Sequence, residues 1–234
     1  MRPLFTILSF GYALLAFPQD SKVYFDDALT QHLPSYNIQS KIAINNYDFK
    51  QADSLFSLLL KNHLKNTYIP NLKLNKISGE TIETDSLKNP FLLITKASWN
   101  LQDKREIRAI NDMAELYKGQ IDVIVLYWDS KKVVKSLEKQ YNDIIHLVYS
   151  DESENKSSYL IKTFKHSFGV PACFFISGTK QLVDLNKKFE LYQEISNPKS
   201  SGIASTYRNL ALLLFKNEMS KKGTITTLDE DTSH

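Results

Sequence analysis

From Pro90 to Leu185 short apolar runs alternate with helix-periodic segments, and this order restricts the chain to few architectures. Phe91-Leu92-Leu93-Ile94 is an unbroken apolar run, the pattern of a strand buried on both faces, expected over Phe91–Thr95. The spacing of Ile107, Ile110, Ala114 and Tyr117 predicts a helix over about 101–117. A strand over 121–127, a helix over about 130–140 and a strand over 144–149 follow. After the polar stretch Asp151 to Ser158, a short helix carries Leu160, Ile161 and Phe164. Residues 173–176 and 181–185 then read as a hairpin around Ser177-Gly178, and a last helix over about 203–218 presents Tyr207, Leu210 and Leu214. Alternating β and α closed by an antiparallel hairpin implies an α/β fold, with a mixed central sheet and helices on both faces.

Ahead of this region, residues 20–66 form an N-terminal helical extension. Its strongest element is a helix from about Asp48 to Leu64, where Phe49, Ala52, Phe56, Leu59, Leu60 and His63 share one face and Asp48 can cap. That stripe needs an apolar surface to cover, which the following domain can supply. Ile69 to Leu74 alternates, turns at Ser78-Gly79 and returns as Thr81 to Thr84, a second hairpin.

The extreme N-terminus reads as a secretory signal. Arg2 precedes an uncharged apolar run from Leu4 to Ala16 that is short for a membrane span. Residues 1–19 are therefore expected to be a signal peptide, removed near Gln19 or Asp20. A retained anchor is the other reading of the same run. Removal leaves no integral membrane segment and a periplasmic or secreted protein. Residues 67–220 form the main domain, and 221–234, poor in apolar residues, are expected to be disordered.

Charge and cysteine content exclude several classes of function. The 29 basic and 26 acidic residues are interspersed, so no basic face suggests nucleic acid. A single cysteine, Cys173, leaves no internal disulfide and no thiolate metal or iron–sulfur centre. With no phosphate loop, no paired-histidine motif and only 7 glycines, neither a metal nor another cofactor is expected.

Two segments carry a resemblance. The strand at Phe91 runs through Ala97-Ser98-Trp99-Asn100-Leu101-Gln102-Asp103 into a helix opening Lys104-Arg105-Glu106. Further on comes Gly169-Val170-Pro171-Ala172-Cys173-Phe174-Phe175-Ile176. Together they resemble the redoxins of the thioredoxin-like family, of the TlpA type. Their active-site strand leads through Ala-Thr-Trp-Cys-x-x-Cys-Arg-x-Glu, and a cis-proline precedes their Phe-x-Ile strand. The resemblance spans about Ile69 to Leu185, with Pro70 and Gly79 at the expected places in the opening hairpin, and implies a thioredoxin-like fold plus the N-terminal helical extension. Asn100 and Asp103 stand at the two cysteine positions, which makes the site degenerate. Pro171 matches the family proline, although the loop before it is shorter.

Dithiol exchange needs a thiolate at a helix start and a second thiol to resolve the mixed disulfide. Asn100 cannot ionise and Asp103 offers only a carboxylate, so catalysis of that kind is not expected. Both residue types suit a helix start, and capping alone explains them. The rival reading is an enzyme of altered chemistry that uses Asp103 with the Pro171 loop, which requires a further converging group; Glu106 is the only one nearby in sequence. Cys173, inside an apolar strand, is expected to be a core residue. Trp99 is either a contact surface or packing, and Pro171 either a cis-proline facing the helix start or a trans-proline opening a strand. The expected function is binding of another polypeptide, or an accessory role in the cell envelope. The candidate binding residues are Trp99, Gly169, Val170, Pro171 and Ala172.

Overall fold

The computed structural model describes residues 22–100, 104–154, 158–187, 210 and 212–214. The expected signal peptide, the C-terminal tail and most of the last helix lie outside them.

Two antiparallel helices, α1 (Phe25–Asn45) and α2 (Phe49–Leu59), open the chain, and α2 continues as a π-helical turn, Leu60–Leu64. Asp48 caps α2 by accepting a bond from the Gln51 N–H at 2.9 Å. The hairpin β1 (Lys73–Lys76) and β2 (Thr81–Glu83) follows. Next come β3 (Phe91–Lys96), α3 (Lys104–Leu116), β4 (Asp122–Tyr127), α4 (Lys131–Leu137) and β5 (His146–Tyr149). A short helix, α5 (Ser158–Leu160), runs on as a π-helix over Ile161–His166, and β6 (Ala172–Ile176) and β7 (Leu182–Lys187) complete the sheet.

The seven strands lie in the order β2-β1-β5-β4-β3-β6-β7. The three central strands β5, β4 and β3 are parallel, and every other neighbouring pair is antiparallel. All six residues of β3 are buried, the polar Thr95 and Lys96 as well as the apolar run Phe91–Ile94. Its side chains alternate between two cores. Phe91 and Leu93 join α1, α2 and α5 on one face, whereas Leu92 and Ile94 join α3, α4, Leu210 and Leu213 on the other. The sheet is mixed and covered on both faces, as the element order dictates.

α1 has weak apolar periodicity and a proline inside it, which conceals it in the sequence. Pro34 lacks the N–H that would close a turn, and Ile38, Ile42 and Ile44 remain exposed. Tertiary packing compensates. Phe25 is fully buried, stacks on Phe164 and Phe168 with ring centroids 5.9 Å away in each case, and meets Phe174 edge-on. Backbone bonds tie the extension down further: the Phe25 N–H donates to the Tyr68 carbonyl, and the Asn66 N–H to that of Leu182. The stripe of α2 buries Leu59, with Leu60 and Leu64 of the π-turn, in the same core.

Candidate functional site

The carboxyl ends of β3 and β4 and the segment before β6 meet at one end of the central strands. Parallel strands leave their crevice at this end. Two loops shape it, Ala97–Asn100 after β3 and Gly169–Pro171 before β6.

The first loop is a turn closed by the Asn100 N–H, which donates to the Ala97 carbonyl at 3.1 Å. Asp129, just past β4, holds it from below. One carboxylate oxygen accepts the Ser98 N–H at 2.7 Å and the other accepts the Ser98 hydroxyl at 2.5 Å. Trp99 follows directly and is 68% exposed, although it sits between a buried strand and a pinned turn. Lys165, from the π-helix, places its ammonium 5.8 Å from the Trp99 ring centroid and 2.5 Å from Glu152 Oε1.

The second loop begins where the π-helix ends. Gly169 has φ +78°, the left-handed conformation that glycine adopts without penalty, and its N–H closes the helix on the Lys165 carbonyl at 2.8 Å. The Val170–Pro171 peptide bond is cis. Ala172 is fully buried and anchors the loop to β3, because its N–H donates to Thr95 Oγ1 at 3.2 Å and its carbonyl accepts from the same hydroxyl at 3.3 Å.

The loops touch where the Asn100 side-chain amide donates to the Val170 carbonyl at 3.5 Å. Trp99, Asn100, Gly169, Val170 and Pro171 therefore belong to one surface, with Ala172 as its buried anchor. Asp103 lies outside the described residues, and so does the carboxylate on which the enzyme reading depends. Glu106 is buried in the first turn of α3, and its charge helps to push the pKa of the Tyr141 phenol up. Burial is the main cause there, and it also pushes Tyr127 up to about 12, so both phenols stay protonated and share a 2.8 Å hydrogen bond. Cys173 is fully buried in β6, in register with Ile94 and two residues past Pro171. Among the described residues no cluster of three or more histidine, cysteine or acidic side chains is placed to hold a metal ion. Nor is any described helix long and apolar enough to cross a membrane.

Sequence reasoning missed Ser98, Asp129, Lys165 and Thr95 as parts of this site. Only Asp129 had a usable signal, its place two residues past a buried parallel strand. The other three come from pairing across long sequence separations, which no local pattern encodes.

No family model and no curated protein matches this sequence. Solved structures do match. One assigned as the thiol:disulfide interchange protein DsbE of Chlorobium tepidum is similar over 64% of this chain and 97% of its own, with TM-score 0.50 and 15% identity. A thiol:disulfide interchange protein from Bacteroides sp. covers 56% of this chain and 88% of its own (TM-score 0.45, 12% identity). A thiol-disulfide oxidoreductase from Bacteroides fragilis covers 56% and 97% (TM-score 0.44, 15% identity). Likeness at such identity speaks of architecture and not of activity. The protein has a thioredoxin-like fold, extended at its N-terminus by a helical hairpin.

Proposed function

We propose that this protein is exported to the periplasm or the cell exterior and binds another polypeptide on the surface formed by Trp99 and the Gly169–Pro171 loop, without dithiol redox activity. The observation that carries the reading is Trp99 itself: a large aromatic, 68% exposed, on a turn fixed by two hydrogen bonds to Asp129. A rigid exposed aromatic beside irregular backbone suits an extended peptide, which pairs through its main chain and buries one side chain on the ring. Exchange of disulfides, the activity for which the structurally similar proteins are named, needs two thiols. This chain has one, buried in β6.

Panning of a random peptide library against the mature protein tests the reading. Selected peptides should bind the wild type and lose about tenfold in affinity on Trp99→Ala, the weight of a modest interface anchor. Binders indifferent to Trp99→Ala, or none at all, would move the function off this surface.

A further inference from the structure

The helical hairpin outruns the core it joins. α1 contributes to that core as far as Tyr36 and α2 from Phe56 onward, and no residue from 37 to 55 belongs to either core. In that stretch only the small side chains Ser40 and Ala43 are buried. At 1.5 Å per residue, the hairpin therefore stands out by about 13 Å beyond Tyr36. Its end is apolar where solvent favours polar residues. Ile38, Ile42, Ile44 and Phe49 are exposed, and Tyr47, in the turn between the helices, is 82% exposed.

Tyr47 holds its place against backbone preference. The Tyr47 N–H donates to the Ile44 carbonyl at 2.9 Å and the Asp48 N–H to that of Ala43 at 2.8 Å, the two bonds of a Schellman motif. The motif sets its central residue in the left-handed region, with φ +59° for Tyr47, where glycine or asparagine is the usual occupant. A bulky residue is strained there, and this exposed ring adds nothing to the core. The turn also pairs its own backbone. The Asn46 N–H donates to the Ile42 carbonyl, and the Asp48 carboxylate accepts the Gln51 N–H. Self-paired backbone is what a segment needs before it can enter apolar surroundings.

We infer that the tip of the hairpin, Ile42 to Phe49, inserts into the interface of a phospholipid bilayer. Ile42 and Ile44 lie about 200° apart around α1, so one flat partner cannot cover both, whereas a fluid interface surrounds the tip. The exposed aromatics and isoleucines present on the order of 500 Å². A stable protein interface, including one with a second copy of this chain, takes about 800 Å² from each partner. Around the tip Lys41 and Lys50 are balanced by Asp48 and Asp53, so the contact is apolar and indifferent to headgroup charge. The tip shares no residue with the Trp99 surface, and the inference stands apart from peptide binding.

Flotation of the mature protein with phosphatidylcholine vesicles, at low and at high salt, tests the inference. The wild type should float with the vesicles in both. The double variant Tyr47→Asn, Phe49→Ser should partition about tenfold less, since binding follows the apolar area inserted. Its stability in urea should be kept or raised, because asparagine accepts the left-handed backbone that strains tyrosine. Should that variant misfold, Phe49→Trp gives a second reading: brominated acyl chains should quench its fluorescence more than that of the wild type, which has only Trp99 and Trp128. Trp99→Ala should float as the wild type does. No flotation of the wild type, flotation that survives the double substitution or depends on Trp99, or binding confined to anionic lipid and lost in salt would overturn the assignment. So would a dimer in place of flotation that dissociates on Tyr47→Asn, which would put a second copy of the chain on the tip.

Discussion

Asp129 holds Ser98 with both of its carboxylate oxygens, one on the backbone N–H at 2.7 Å and one on the hydroxyl at 2.5 Å. The bonds join the end of β4 to the turn that presents Trp99, 31 positions away in sequence. Charge-assisted bonds are stronger than neutral ones, and losing the acceptor strands a partly buried N–H. Asp129→Ala should cost about 2 kcal/mol in urea unfolding. It should also speed hydrogen exchange at Ser98–Asn100 more than elsewhere in the sheet. Unchanged stability with unchanged exchange would show that the turn holds its shape without the carboxylate.

Trp99 separates stability from binding. Because most of its surface already faces solvent, Trp99→Ala should change unfolding free energy by no more than about 0.5 kcal/mol. Peptide affinity should fall at the same time, as argued above. A variant destabilised by several times that amount would mean that the ring packs as part of the fold, and a binding loss could then no longer be credited to this surface.

Phe25 makes the opposite case. It has no exposed surface and touches Phe164, Phe168 and Phe174. Phe25→Ala should therefore cost about 3–5 kcal/mol, the usual range for emptying a buried aromatic site. Deletion of residues 22–66 should leave the rest unable to give a cooperative unfolding transition, since one core runs through both. A stable, cooperative truncated domain would mean that the helical hairpin is an appendage.

The contrast between α2 and α1 shows how far the sequence is legible. α2 and its π-turn bury Leu59, Leu60 and Leu64 on one stripe, so period and cap announce them. α1 has Pro34 inside it and several exposed isoleucines, and only the distant aromatic cluster around Phe25 fixes it. The strands were readable for the same reason as α2: β3 is buried on both faces and its composition says so. At the candidate site, Trp99 and the Pro171 loop were recognised through family resemblance. The Ser98–Asp129 and Thr95–Ala172 bonds that shape the two loops arise only once β3, β4 and β6 are neighbours.

His146 should give stability a pH dependence. Burial first, and then the charge of Lys76, lower its pKa in the folded protein below the ordinary 6.5, with Asp122 opposing in part. Above that value both states hold a neutral imidazole and the residue contributes nothing. Below it the unfolded chain takes up a proton that the folded chain resists, so stability falls as pH drops from about 6.5 toward the folded pKa. Thermal unfolding across this range should show a steeper acid loss for wild type than for His146→Gln. Parallel curves would place the acid sensitivity in other groups.

The family correspondence itself can be tested by restoring what is missing. If Asn100 and Asp103 occupy the two cysteine positions, the double variant Asn100→Cys, Asp103→Cys should form an intramolecular disulfide. Bridged residues need Cα atoms within about 7 Å, which a separation of three residues at a helix start provides. Cys173, buried in β6, should not compete for either new thiol. On reduction the thiol at position 100 should ionise below the ordinary cysteine value, because a helix N-terminus stabilises the thiolate. Thiol titration by ultraviolet absorbance and mass analysis under oxidising conditions read both effects. The variant should also reduce insulin disulfides with dithiothreitol as electron source, whereas the wild type, with one thiol, should not exceed the uncatalysed rate. A folded double variant that stays fully reduced in oxidant would dissociate this turn from the redox position. A wild-type rate above background, removed by Cys173→Ser, would instead assign chemistry to the buried cysteine.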